Sequence, residues 1–222
     1  MALQSPRPAH RPSAREAMLE AAEAHLGADG TLSLDSAARA AGVTKPGLMY
    51  HFSTKEELLI AVLERLTSRY EREMAESVAR LVAAEAGASL DGPAVGVATG
   101  LAAAAPGLVD ATAPDLADAT ASQRALAYLD WACRAPLSPA DLVIFADPKL
   151  RVALTERWRE QVDRWLAVPA GESVDRRRRL LGVRLMADGL WFDRASGLLE
   201  TTTEDAQSLR ALALDLLEEE DS

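Results

Sequence analysis

The sequence predicts an all-α protein, with a small N-terminal three-helix domain followed by a larger C-terminal helical bundle. Apolar residues recur at spacings of three and four along most of the 222 residues, which is the period of an amphipathic helix. No segment alternates apolar and polar residues in the way a strand does. Helix-capping residues precede most of the periodic segments. Together these observations predict nine or ten helices.

The first 12 residues differ from the rest of the chain. They contain three prolines and two arginines, a composition that predicts a disordered arm over residues 1–12. Such an arm could enter a DNA minor groove or be an ordinary solvated tail. Ser13 and Glu16 then form a capping-box pattern, which predicts a first helix that Gly27 ends.

Residues 33–57 carry the most informative pattern. Ser33 predicts the start of a short helix, Gly42 supplies a tight turn, and Thr44 caps a second short helix running to about His51. A further capping box at Ser53–Glu56 opens a much longer helix. Two short helices crossing at small residues, the second with a polar face, are typical of a helix-turn-helix. A simple surface helical hairpin is the alternative interpretation.

The remaining elements follow from the same periodicity. The long helix is predicted over residues 54–82, about 28 residues and ~40 Å. The many Gly and Pro residues between 87 and 114 leave only a short Ala-rich helix near residues 95–105. Further helices are predicted at 117–134, 139–145, 148–167, 174–196 and 202–218.

The charge is unevenly divided along the chain. The net charge is −10, but residues 1–55 hold six Lys/Arg and five Asp/Glu, a balance of +1. The remaining residues hold 18 and 29, a balance of −11. An acidic body argues against non-specific coating of nucleic acid, while a local contact patch near the N-terminus stays possible.

Several classes of function have no support in the sequence. No uninterrupted run of 18 apolar residues predicts a membrane span, and the N-terminus has no signal-peptide pattern. No acid/base cluster, metal-ligand spacing or phosphate loop is present, so we expect no enzyme, cofactor or metal. The single Cys133 excludes an internal disulfide. We therefore expect a soluble, cytoplasmic protein.

Residues 41–59 resemble the DNA-binding domain of the TetR family of transcriptional regulators. The matching pattern is Ala-Gly-Val-Thr, then Lys-x-x-Leu-x-x-His-Phe, then Lys-Glu-x-Leu-Leu. Ala37 and Met49 depart from it, since a larger aliphatic and a Tyr are common there. The resemblance implies a DNA-binding domain over residues 13–57 and a ligand-binding and dimerisation domain over residues 58–222.

The predicted DNA contacts lie on and beside the second short helix. We expect Lys45 and Gly47 to lie nearest the bases, because Lys can donate to guanine and Gly lets the backbone approach. Side chains around them suit phosphate contacts, and Ser33 adds a backbone amide at a helix start. The full predicted set is Ser33, Thr44, Lys45, Pro46, Gly47, Tyr50, His51 and Lys55.

Aromatic residues concentrate in the C-terminal part of the chain. Seven of the ten aromatics lie between residues 128 and 192. They could line a ligand cavity between helices, although each could equally belong to a hydrophobic core. The predicted ligand-binding set is Tyr128, Trp131, Phe145, Trp158, Trp165, Met186 and Trp191.

These observations predict a ligand-responsive transcriptional regulator. In keeping with the resemblance, we expect a repressor that binds a palindromic operator as a homodimer and is released by a small-molecule effector. The alternative is an α-helical small-molecule-binding or interaction protein whose helix-turn-helix does not bind DNA. We expect no membrane partner.

Overall fold

The predicted all-α fold is confirmed. A computed structural model describes residues 13–88, 119–198 and 201–218, and these ranges contain no strand. The helices within them are α1 (Ala14–Asp29), α2 (Leu34–Ala40), α3 (Lys45–Met49), α4 (Lys55–Ala88), α5 (Ala121–Arg134), a 3-10 helix (Pro139–Phe145), α6 (Arg151–Leu166), α7 (Val174–Ser196) and α8 (Thr203–Glu218).

Three of the predicted caps form as expected. The hydroxyl of Ser33 accepts a hydrogen bond from the Ser36 amide at 3.0 Å. Thr44 caps α3 and Ser173 caps α7 in the same way. Each cap satisfies an amide that the first turn of a helix leaves without a partner, and this local chemistry is what makes helix starts readable from sequence.

The predicted start of α1 at Ser13 is confirmed, whereas its predicted end was wrong. The helix does not stop at Gly27 but continues to Asp29, because Gly30 is the residue with a left-handed backbone (φ 67°) that ends it. At the other end, the Ser13 hydroxyl accepts from the Glu16 amide. The Glu16 carboxylate, however, pairs with Arg65 on α4. A tertiary ion pair thus replaces half of the predicted capping box.

The boundaries of α4 also differ from the predicted ones. The long helix α4 has 34 residues, rather than about 28. It is capped by Thr54, whose hydroxyl accepts from the Glu57 amide, one residue later than predicted. The Glu57 carboxylate accepts from Ser53, whose hydroxyl and then backbone amide lower the pKa of Glu57 below its ordinary value of 4.5.

The predicted starts at residues 117 and 148 were also too early. A reciprocal capping box between Thr120 and Gln123 sets the start of α5 at Ala121. Residues 148–150 form a turn before α6, because Asp147 binds the Lys149 amide at 2.9 Å. The predicted arm at 1–12 and the short helix near 95–105 lie outside the described residues.

The chain divides into two compact units. The first comprises Met1–Leu66 and Leu137–Trp158, and the second comprises Thr67–Pro136 and Arg159–Ser222. Two of the three boundaries fall inside helices, within α4 and within α6, and the third falls between α5 and the 3-10 helix. The grouping therefore does not follow the linear division at residue 57, and that functional boundary stays a prediction.

The first unit is built on α1, which packs against α2 and the 3-10 helix. Leu48 of α3 and Phe52 just after it are buried, with 0% and 1% of their surfaces exposed. Arg15 lies over the Phe52 ring, 4.9 Å from its centroid. These buried side chains hold α3 in place, because a helix of only five residues is not stable by itself.

In the second unit, α5 packs against α7 and α8, and α7 packs against α8. Arg176 at the start of α7 donates to the carbonyl of Leu217 in the last turn of α8. The two helices are therefore antiparallel neighbours. Within the described ranges, no helix is both long and apolar enough to cross a membrane.

Candidate nucleic-acid interface and ligand clefts

The turn between α2 and α3 has the geometry that a helix-turn-helix needs. Gly42 adopts φ +66°, a left-handed conformation that side-chain-bearing residues rarely tolerate. The next amide, of Val43, donates back to the Ala38 carbonyl at 2.9 Å. Ala37 and Ala38 are buried where the helices meet. Ala37, smaller than the residue common in the family pattern, is therefore a closely packed core residue here.

The outward side of α3 presents most of the predicted contact residues. Thr44, Lys45 and Pro46 are exposed, and Tyr50 is 86% exposed, an unusual degree for an aromatic residue. Gly47 lies close to the Thr44 hydroxyl, where an added Cβ would lie 3.2 Å from Oγ1. The face is therefore polar at one end and aromatic at the other, while Leu48 on the opposite side anchors it.

Lys45 has an intramolecular partner. Its Nζ lies 2.9 Å from Oδ2 of Asp35 on α2, with 46% and 61% of the two side chains exposed. A pair this exposed contributes only ~0–1 kcal/mol. Lys45 can therefore leave Asp35 for a stronger acceptor at small cost.

Lys55 is held more firmly. Its Nζ donates to Oδ2 of Asp147 at 2.6 Å, and the side chains are 35% and 18% exposed. The hydrogen bond from Lys55, followed by that from the Lys149 amide, lowers the pKa of Asp147 below its usual range. No local pattern predicts this pair, because the two residues are 92 positions apart.

Two further predicted contacts have defined surroundings. The Ser33 amide donates to the Ser36 hydroxyl at 3.0 Å, so binding a phosphate there requires this bond to be exchanged. His51 is half-buried and meets Tyr50 edge-on, with ring centroids 5.1 Å apart. His51 thus supports the position of the exposed Tyr50 ring.

The second unit contains an aromatic cluster around Trp131. The Trp131 ring lies 4.6 Å from that of Tyr70 and stacks on that of Tyr128 at 5.7 Å. Its indole N–H donates to Glu73 at 2.7 Å, and the Tyr128 hydroxyl donates to Asp188 at 2.8 Å. Burial, followed by the charge of Asp188, raises the pKa of Tyr128 well above its ordinary value.

The seven predicted ligand residues are divided between the two units. Phe145 and Trp158 belong to the first unit, whereas the other five belong to the second. Phe145 is 45% exposed, with Arg151 over its ring at 5.8 Å. Trp131 and Trp165 line two different clefts. Ligand binding by these residues stays a prediction.

The first of these clefts lies between α4 and α5. It contains about 520 Å³ of space unfilled by protein atoms, part of it open to solvent. Its lining is mixed in charge, with two glutamates and two arginines around Trp131. The lining residues are Glu73, Glu76, Ser77, Arg80, Trp131, Arg134, Ala135 and Pro136.

The second cleft, called here the α5–α7 cleft, lies between the start of α5, the end of α6 and the first half of α7. It contains about 440 Å³ of unfilled space, also partly open. Sequence reasoning missed all of its residues except Trp165, although Arg177, Leu180, Leu181 and Arg184 have helical same-face spacing. The lining is Ala121, Ala125, Trp165, Leu166, Ala167, Val168, Arg177, Leu180, Leu181 and Arg184.

Two buried groups support the wall of the α5–α7 cleft. Arg124 is buried, and its guanidinium donates to the carbonyls of Ala119, Trp165 and Ala167. The indole Nε1 of Trp165 is buried without a hydrogen-bond partner among the described residues. A buried donor left without a partner costs ~1–3 kcal/mol.

Cys133 and the described acidic residues form neither a reactive thiolate nor a metal site. Burial, followed by the charge of Asp130, raises the pKa of Cys133, so the reactive thiolate is disfavoured. Among the described residues, no three His, Cys, Asp or Glu side chains are grouped to hold a metal ion.

A helix-turn-helix unit joined to a helical body with clefts is the arrangement of a DNA-binding regulator. The model for bacterial regulatory proteins of the tetR family matches residues 18–62. The model for the tetracyclin repressor-like C-terminal domain matches residues 122–218. The chain belongs to the TetR family of transcriptional regulators, and the resemblance seen in the sequence is confirmed.

A solved structure agrees with this fold. The multidrug binding protein EbrR, complexed with malachite green, aligns with a TM-score of 0.53 and 21% identity, covering 92% of this chain and 98% of EbrR. A TetR-family member from Streptomyces coelicolor A3 aligns with a TM-score of 0.48 and 23% identity, over 92% and 98% of the two chains. No curated protein sequence matches the chain. At 21% identity the likeness to EbrR establishes the fold alone.

Proposed function

We propose that this regulator is a repressor that binds a palindromic operator as a homodimer and is released by a small-molecule effector. The observation that carries the DNA-binding part is the α2–α3 geometry. Gly42 in the left-handed conformation, the buried Leu48 and the exposed Lys45 and Tyr50 together present α3 outward. A helix presented in this way can enter a major groove.

On and beside α3, we assign base contact to Lys45 and Gly47 and phosphate contact to the capping residues Thr44 and Tyr50, while Pro46 lies on the same exposed side of the helix. The additional phosphate contacts are Ser33, His51 and Lys55. Lys55 reaches DNA only by leaving Asp147, so its contribution is expected to be smaller than that of an unpaired lysine. These roles are separable because a base contact changes sequence preference, whereas a phosphate contact changes the salt dependence.

The homodimer is supported by the outer faces of α7 and α8. Leu185 and Leu212 are 59% and 52% exposed, which is unusual for large apolar residues on neighbouring helices. Gly189 has no atoms within 4 Å of an added Cβ, so a second copy could approach there. Gly182 differs, since its Cβ would meet Leu216 of the same chain at 3.3 Å. We propose that the two helices pair with their symmetry mates as a four-helix bundle.

The effector-binding role is assigned to the second unit, which holds both clefts and the Trp131 cluster. Effector release requires that ligand affinity differ between the DNA-bound and free states. A 100-fold shift in operator affinity needs a difference of ~2.7 kcal/mol, and DNA must weaken ligand binding by the same factor.

A gel shift with the DNA upstream of the chain's own gene tests the proposal. We expect a salt-sensitive, sequence-specific complex. Lys45→Ala is expected to weaken this complex by relaxing the sequence preference at one base position. Lys55→Ala is expected to weaken all sequences alike and to flatten the salt dependence. Absence of any complex with this or with random operator libraries would favour the alternative, a helical small-molecule-binding protein with a non-functional helix-turn-helix.

A further inference from the structure

The α5–α7 cleft combines an apolar floor with cationic edges. Ala125 and Leu180 form buried parts of its lining, and Leu181 forms an exposed part. Arg177 and Arg184 complete it from the same helix. Arg177 and Arg184 are seven positions apart in the sequence, which places them two turns, or about 10 Å, apart along one face of α7. The two leucines lie between them.

The charge of the lining is of one sign. Two arginines and no acidic side chain line the cleft, although the chain as a whole carries a net charge of −10. The buried guanidinium of Arg124, which contacts Trp165 and Ala167 of the lining, adds a third positive charge beside it. A partly enclosed cleft with this lining attracts anions, because low-dielectric walls strengthen the local field.

The two arginines differ in their present partners. Arg184 lies 3.4 Å from the carboxylate of Asp188 on its own helix. Within the part of the chain that the structure describes, Arg177 donates only to backbone carbonyls, those of Glu172 at 3.1 Å and Ala170 at 2.7 Å. These two bonds use two of the five N–H groups of a guanidinium. Arg177 thus retains donors and an unneutralised charge, and it is the better anchor for an anion.

We propose that the α5–α7 cleft binds a small amphipathic acid, with its carboxylate on Arg177 and its apolar body against Ala125, Leu180 and Leu181. The Trp165 side chain also lines the cleft and adds aromatic surface for the apolar body. This inference deepens the proposed function, since it names the chemical class of the effector and rests on that function for its regulatory meaning.

Isosteric probes test the ligand class directly. Binding of octanoate, octan-1-ol and octylamine to the full chain is measured by titration calorimetry without DNA. We expect octanoate to bind at least about tenfold more tightly than the alcohol, as a charge-assisted hydrogen bond to Arg177 implies. Octylamine is expected to bind most weakly. Octylamine binding as tight as that of octanoate, or no binding of any probe, overturns the proposal.

Variants locate the site. Arg177→Gln is expected to weaken octanoate about tenfold and octan-1-ol less than about twofold. Arg178→Gln is the matched control, because Arg178 neighbours it on α7 but pairs with Asp175 and does not line the cleft. If Arg177→Gln fails to fold, Arg184→Gln replaces it, with an expected loss of about two- to fivefold. Equal loss in the Arg178 control, or no loss in the cleft variant, overturns the assignment.

The operator measurement separates this inference from the proposed function. Octanoate that binds in the Arg177-dependent way but leaves operator affinity unchanged upholds the ligand class and contradicts its role as effector. Operator release by a different compound, with no Arg177-dependent binding of octanoate, upholds effector control and contradicts the ligand class.

Discussion

The pair between Lys45 and Asp35 gives a direct test of how α3 meets DNA. The ammonium group of Lys45 lies 2.9 Å from the Asp35 carboxylate, so it must exchange this partner for a guanine or a phosphate on binding. Asp35 also places a negative charge on an exposed part of the same surface. Asp35→Asn removes both obstacles and is expected to raise DNA affinity.

The magnitude follows from the exposure of the pair. With 46% and 61% of the side chains exposed, the pair contributes at most ~1 kcal/mol, which corresponds to a factor of about five. Asp35→Asn is therefore expected to tighten binding about two- to fivefold. Lys45→Ala is expected to cost ~1–3 kcal/mol at the cognate base. That cost should be larger in the Asp35→Asn background by the energy of the pair.

Fluorescence anisotropy of labelled operator at one fixed salt concentration measures all four proteins of this cycle. A second duplex with the candidate guanine replaced shows whether the effect of Lys45 depends on sequence. Glu204→Gln on α8 is the control, because it removes one exposed negative charge far from α3 in the sequence. Equal cost of Lys45→Ala in both backgrounds, or no gain from Asp35→Asn, would refute the assignment of Lys45.

Three further predictions concern stability and assembly. The pKa of Glu57 is lowered in the folded chain, so its ionised carboxylate stabilises the fold above pH 4.5, and this stabilisation is lost as the pH falls through the folded value. Urea titrations of Glu57→Gln and wild type should therefore converge in acid. Arg124→Met should lower the free energy of unfolding by at least ~2 kcal/mol, because three carbonyls lose a charged donor. The control Arg178→Met should change the free energy of unfolding by no more than ~0.5 kcal/mol, and equal losses in the two variants would contradict the burial argument. In sedimentation experiments, Gly189→Leu should weaken the dimer, whereas Gly182→Ala should not. A wild-type chain that sediments as a monomer at micromolar concentration would contradict the four-helix interface.

Much of the first unit could be predicted from its sequence because its determinants are local. Helix caps act over three residues, and the left-handed turn needs a glycine at one position. Ser33, Gly42 and Thr44 therefore indicated the helix-turn-helix before any tertiary contact was known. The same locality explains the correct helix content, since the apolar period lies within each helix.

The tertiary structure decided what depends on distant residues. Lys55 is paired with Asp147 and Glu16 with Arg65, and neither pairing has a local signal. The aromatic residues predicted as one ligand set were divided between two units, because composition identifies apolar residues without stating which helices meet. The α5–α7 cleft arises where α5, α6 and α7 converge, and this packing places Arg177 and Arg184 in the lining of one cleft.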